Sequence, residues 1–92
     1  MGAVASPDGR ELYVTTGRGN SVVVIATATD AVVASIAVGE RVWGIALSAD
    51  GSTLYTANGA SNDVSVIDVK TRKELKRIKV GDGPWGIAVA PN

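Results

Sequence analysis

Apolar and polar residues alternate along this chain in short runs, and the runs end at breaks rich in Gly, Asn, Asp or Thr. Between Asp63 and Val69, Val64 and Val66 fall on one side of an extended backbone and Ile67 and Val69 on the other. That period of two predicts a strand. Upstream, the apolar runs Gly44–Ser48 and Leu54–Ala57 flank Asp50-Gly51, a pair suited to the positive φ of a tight hairpin turn. A Gly/Asn/Ser loop over 58–62 precedes the Asp63 strand, and a turn at Lys70-Thr71-Arg72 leads to a fourth run, Glu74–Val80. The same order appears earlier as Ala3–Ser6, Leu12–Thr15, Ser21–Thr27 and Ala31–Val38. Nowhere does the i, i+3, i+4 spacing of a helix persist. The expectation is an all-β chain of two four-stranded antiparallel meanders.

The second set of strands copies the first at one fixed offset. Asp8 and Asp50, Tyr13 and Tyr55, Asn20 and Asn62, Ile36 and Ile78, and Trp43 and Trp85 are each 42 residues apart. Residues 1–8 align with 43–50 and again with 85–92, so the chain starts and stops at the same phase of the repeat. A period of about 40–45 residues with four strands per unit is that of a β-propeller blade. The predicted divisions are 1–42 for the first blade, 43–84 for the second, and 85–92 for the inner strand of a following one. Apolar residues occupy both faces of the strands, so each sheet needs a neighbour on either side, as blades in a ring have. The small Ala46 and Ala88 suit inner strands that converge on an axis. Roughly six apolar side chains on each open flank, at ~1.5–3 kcal/mol apiece, are worth ~9–18 kcal/mol. A whole domain nets only about 5–15 kcal/mol, so the flanks are expected to seek cover.

Tyr13-Val14-Thr15-Thr16 and Tyr55-Thr56-Ala57-Asn58, with Ser6-Pro7-Asp8-Gly9, Asn62 to Asp68 and Trp85 to Pro91, resemble the Tyr-Val-Thr-Asn signature of the YVTN family of β-propeller repeats. The resemblance covers essentially the whole chain. Thr16 stands in place of the Asn in the first copy, Thr56-Ala57 in place of Val-Thr in the second, and Ala49 where the first copy has Pro7. The resemblance implies a ring of around seven blades in a bacterial or archaeal protein that is extracellular, periplasmic or at the cell surface. A shared fold says little about activity.

Composition narrows the chemistry. The 92 residues include no Cys and no His, which argues against a zinc, copper or haem-iron site built from this chain alone and excludes any His-dependent nucleophile. No cofactor and no catalytic residue is expected. Nine basic and nine acidic residues cancel to a net charge of zero, so nothing points to nucleic acid. The start, Met1-Gly2-Ala3-Val4, has neither the basic nor the long apolar region of a signal peptide. The window from Asn20 to Val38 holds a single charge, Asp30, but its central Thr29-Asp30 turn makes it two strands and no membrane span.

A meander alternates direction, so the second-to-third-strand loops and the blade-to-blade connections share one end. That end collects Trp43, Trp85, Arg18, Arg41, Asn58, Asn62 and Asp82, the expected ligand or partner site, because binding residues concentrate on loops over a rigid scaffold. For Trp43 and Trp85 themselves, packing over the inner strands is the first reading and recognition of a ligand or partner the second. Gly17 and Gly19 are not followed by a helix, so they read as loop glycines and not a phosphate cradle. Asp8 and Asp50 read as turn residues. The basic run from Lys70 to Lys79 reads as a solvated outer edge that discourages strand addition. The partners expected are neighbouring blades of the same chain or head-to-tail copies of it, with a protein or glycan on the loop end. The function expected is a non-catalytic binding or scaffolding segment. The alternatives are part of a quinone- or haem-dependent oxidoreductase or lactonase ring with its active residues on other blades, and an engineered two-blade unit that assembles into a ring.

Overall fold

The structure is a computed structural model and describes residues 2–16, 20–39 and 41–80, with Trp43 described by its backbone. Eight strands follow one another: β1 Ala3–Ala5, β2 Glu11–Thr15, β3 Ser21–Ala26, β4 Ala31–Ala37, β5 Val42–Leu47, β6 Thr53–Asn58, β7 Asp63–Asp68 and β8 Lys73–Lys79. They form two antiparallel four-stranded sheets in simple sequential order, β1-β2-β3-β4 and β5-β6-β7-β8. The 20–38 window is β3, a turn and β4, and among the described residues no helix is long and apolar enough to cross a membrane. The inner strand expected over 85–92 lies outside the described residues.

Most strand ends move by a single residue from their expected positions, and two moves matter for the loop end. Val42 and Trp43 open β5 instead of belonging to the connection, and Asn58 closes β6 instead of starting a loop. In both cases a tertiary partner extends the ladder: Val42 pairs with Asn58 across β5 and β6.

The repeat is a repeat of backbone geometry. Gly9 and Gly51 have φ of 73° and 77°, Asn20 and Asn62 of 54° and 58°, and Asp30 and Arg72 both of 58°. Each pair is separated by the sequence offset, so the same left-handed turns recur in both sheets. The register of β3 on β4 shifts between Val24 and Ile25, and that of β7 on β8 shifts between Val66 and Ile67. The extra residues opposite these breaks are Val33 and Leu75, which stand 51% and 62% exposed on the outer edge strands. A bulge twists an edge strand away from regular pairing, here twice at the same phase.

The sheets stack face to face, β1 and β2 against β5 and β4 against β8. The core lies between them: Tyr13, Val22, Val24, Ile36 and Val38 from the first sheet meet Val42, Leu54 and Ile67 from the second. On the far face of the second sheet the described residues are covered unevenly: Val66 is buried, but the outer strand is open. Ile36 is 3% exposed and Val38 6%, whereas Ile78 and Val80, at the same positions of the second sheet, are 45% and 42% exposed.

Candidate functional site

At the loop end, the segment between β4 and β5 is held from both sides. Asn20 Oδ1 accepts a hydrogen bond from the Arg41 backbone N–H at 3.1 Å, and the Arg41 carbonyl accepts one from Gly59 N–H at 2.9 Å. These bonds fix Arg41 at a φ of 51°, a conformation in which an L side chain crowds its own backbone. Its side chain is exposed. The equivalent residue in the next repeat is Gly83, the residue such a conformation favours.

Asn58, also expected at this end, is fully buried. Its Oδ1 accepts a bond from Thr56 Oγ1 at 3.0 Å, and its Nδ2 donates to Asp63 Oδ1 at 2.8 Å and to Ser65 Oγ at 2.9 Å. Ser61 Oγ donates to the same Asp63 oxygen at 2.9 Å. Ser65 Oγ donates onward to Glu74, whose carboxylate also takes Arg77 Nε. Gly39 backs onto this cluster so closely that a Cβ there would stand 2.4 Å from Asn58 Nδ2. Asn58 is thus a structural latch within the second sheet, and both ends of its amide are already engaged. Asn62 closes the β6–β7 loop, its carbonyl accepting Val80 N–H at 3.0 Å. Arg18, Asp82 and Trp85 lie outside the described residues, as does the side chain of Trp43.

The opposite end is more than a row of tight turns. A groove of about 410 Å³ opens between the sheets there, lined by Ser6, Asp8, Glu11, Tyr13, Asp50 and Val69 among others. Asp8 Oδ1 accepts from Ser6 Oγ and Arg10 N–H, and Asp50 Oδ1 from Ser48 Oγ, Ser52 N–H and Ser52 Oγ. These bonds serve the turns, as the sequence suggests. The Arg10 N–H and then Ser6 hold the Asp8 carboxyl below its ordinary value, and Ser52 and Ser48 hold Asp50 at about 2. Pro7 of the first turn lies over Gly51 of the second, where a Cβ would come within 2.7 Å of the Pro7 ring.

One contact in this groove escaped the sequence reading. Arg72 does not join the solvated edge: its Nη2 reaches Glu11 Oε2 on the other sheet at 2.6 Å, while Tyr13 Oη donates to Glu11 Oε1 at 3.1 Å. The available signal was a departure from the repeat, since Glu11 and Arg72 replace Thr53 and Asp30 of the other copy. The remaining charges behave as expected, with Lys73, Lys76, Arg77 and Lys79 exposed on β8. Among the described residues, no group of three or more Asp or Glu is placed to hold a metal ion.

No protein-family model matches this chain, and no curated protein does. Solved structures do. The chain is similar to Kuenenia stuttgartiensis hydrazine synthase, with 38% identity, a TM-score of 0.93 and coverage of 97% of this chain and 25% of that one. It is similar to the dihydro-haem d1 dehydrogenase NirN in complex with DHE, at 25% identity and TM-score 0.78 over 92% of this chain and 18% of that one. It also matches the WD40 repeats of RRP9, at 15% identity and TM-score 0.80 over 89% of this chain and 26% of that one. The chain therefore spans about a quarter or less of the length of these three chains. With two sequential four-stranded meanders stacked face to face and propellers as structural neighbours, the described part of the chain is two blades of a β-propeller.

Proposed function

We propose that this chain is a non-catalytic binding and scaffolding segment of a YVTN-like propeller, from an exported or cell-surface bacterial or archaeal protein, and that its loop end is the binding face. The observation that carries the reading is Arg41. An exposed arginine holds a left-handed backbone position, where the sequence of the next repeat has a glycine, Gly83, and backbone strain of this kind is concentrated at functional positions. The guanidinium, on a backbone clamped by Asn20 and Gly59, suits a carboxylate on a protein or glycan, which it can engage with two parallel hydrogen bonds. Trp43, Trp85, Arg18, Asn62 and Asp82 belong to the same proposed face, with Asn58 supporting it from beneath.

The test is titration of the chain with matched carboxylated and neutral oligosaccharides and peptides. Acidic probes should bind more tightly, and Arg41→Gly should weaken them at least tenfold while the melting temperature holds or rises. Equal binding by Arg41→Gly and the parent chain would overturn the reading.

A second reading has support from the comparisons: hydrazine synthase and NirN, at 38% and 25% identity, bear the names of enzymes. On this reading the chain is structural framework in a propeller enzyme, with the reacting groups on other blades. His, Cys or clustered acids in adjoining sequence, combined with loss of turnover on their substitution, would favour it.

A further inference from the structure

We infer that the two open flanks of this chain are complementary to each other and join copies of it head to tail. This stands apart from the loop-end reading, because it concerns the sheet faces only. The interface inside the chain serves as the template. There, Tyr13, Val22, Val24, Ile36 and Val38 are covered by the face of the second sheet that carries Leu54 and Ile67. The far flank of the second sheet carries Tyr55, Val64, Val66, Ile78 and Val80 at those same five repeat positions, with Val66 buried and Tyr55 and Val64 half-buried. Ile78 and Val80 are left 45% and 42% exposed.

The cover that this flank requires is present on the chain itself. On the far face of the first sheet, Leu12 and Ile25 pair across β2 and β3 as Leu54 and Ile67 pair across β6 and β7. Around them, Val14, Val23 and Val32 stand where the internal interface has Thr56, Ser65 and Glu74. Val32 is 65% exposed. A copy's first sheet therefore offers the same two anchors, with three valines in place of a hydrogen-bonded network. The contact between copies is more apolar than the contact within one, as in interfaces that persist. Lys76 takes the place of Ala34 on this flank, and its stem is long enough to carry the ammonium to the rim. Because the two flanks differ, association is head to tail and closes into a ring when the rotation permits.

Native mass spectrometry and light scattering on the chain as it stands are the test, with Val32→Lys and Ile78→Asp as flank variants. Both positions are exposed, and circular dichroism checks that the sheets persist. The expected result is a discrete oligomer for the parent and a monomer for each variant alone. Mixing the two variants should give a one-to-one dimer and nothing larger, because each retains the flank the other has lost. A parent that remains monomeric, folded or not, overturns the inference and assigns the flank to another occupant. An assembly indifferent to both substitutions overturns it too.

Discussion

Arg72 Nη2 and Glu11 Oε2 lie 2.6 Å apart although 61 positions separate them, and the pair ties the last turn of the second blade to the second strand of the first. Neither residue has its counterpart in the other copy of the repeat, where Asp30 and Thr53 stand. The bond is therefore specific to this junction. Arg72 holds a φ of 58° to make it, so the left-handed turn that repeats in both blades has been turned to a tertiary use in one.

The pair should contribute modestly and with a defined pH dependence. Its side chains remain 32% and 26% exposed, so a double-mutant cycle of Glu11→Gln and Arg72→Gln is expected to give a coupling of about 1 kcal/mol at neutral pH. The hydrogen bond from Arg72 holds the Glu11 carboxyl below its ordinary value, against the opposing effect of burial. A lowered folded-state value means that the contribution is whole above the unfolded value, near 4.5, and fades as pH falls through the folded one. Urea titrations at pH 7 and pH 3 should therefore show a smaller coupling at the second than at the first.

Tyr13 titrates in the opposite sense. Burial, then its hydrogen bond to Glu11 and the charge of that carboxylate, push its phenol up to about 12 from 10.0. The folded state therefore favours the neutral phenol. Its stabilisation is complete below pH ~10 and is lost as pH rises towards 12. Ultraviolet titration of the folded chain should show a phenolate step near 12 that is missing in Tyr13→Phe.

Two glycines should behave differently when changed to alanine. A Cβ on Gly39 would meet Asn58 Nδ2 at 2.4 Å and Cγ at 2.6 Å, both inside the buried network. Gly39→Ala is expected to cost about 2–4 kcal/mol, because Asn58 cannot retreat without abandoning Asp63 and Ser65. A Cβ on Gly9 meets nothing within 4 Å, but its φ is 73°. Gly9→Ala should cost only about 1 kcal/mol, the backbone penalty alone. Equal losses in chemical denaturation would contradict the packing described at Gly39.

The strands were legible because local pattern decides them. Val64, Val66, Ile67 and Val69 announce β7 without any partner, and Asp50-Gly51 announces its hairpin. The end of β6 was less legible. Asn58 has a loop residue's chemistry, and it becomes a strand residue because Val42 pairs with it and Asp63, Ser65 and Thr56 satisfy its amide. Arg72 was misread for a related reason: within a basic run its charge looks like its neighbours', and only the approach of the first blade separates it from them.

Order and phase of the described strands, the Asp-Gly turns and the need for cover on both sheet faces follow from residue type and spacing along the chain. These are short-range consequences of side-chain alternation, of Gly, Asn and Asp tolerating positive φ, and of apolar surface avoiding water. Which copy of an identical residue is buried was settled only by assembly in three dimensions. Ile36 lies under the second blade and Ile78 does not, because burial belongs to the pair of surfaces that meet and not to the residue that is repeated.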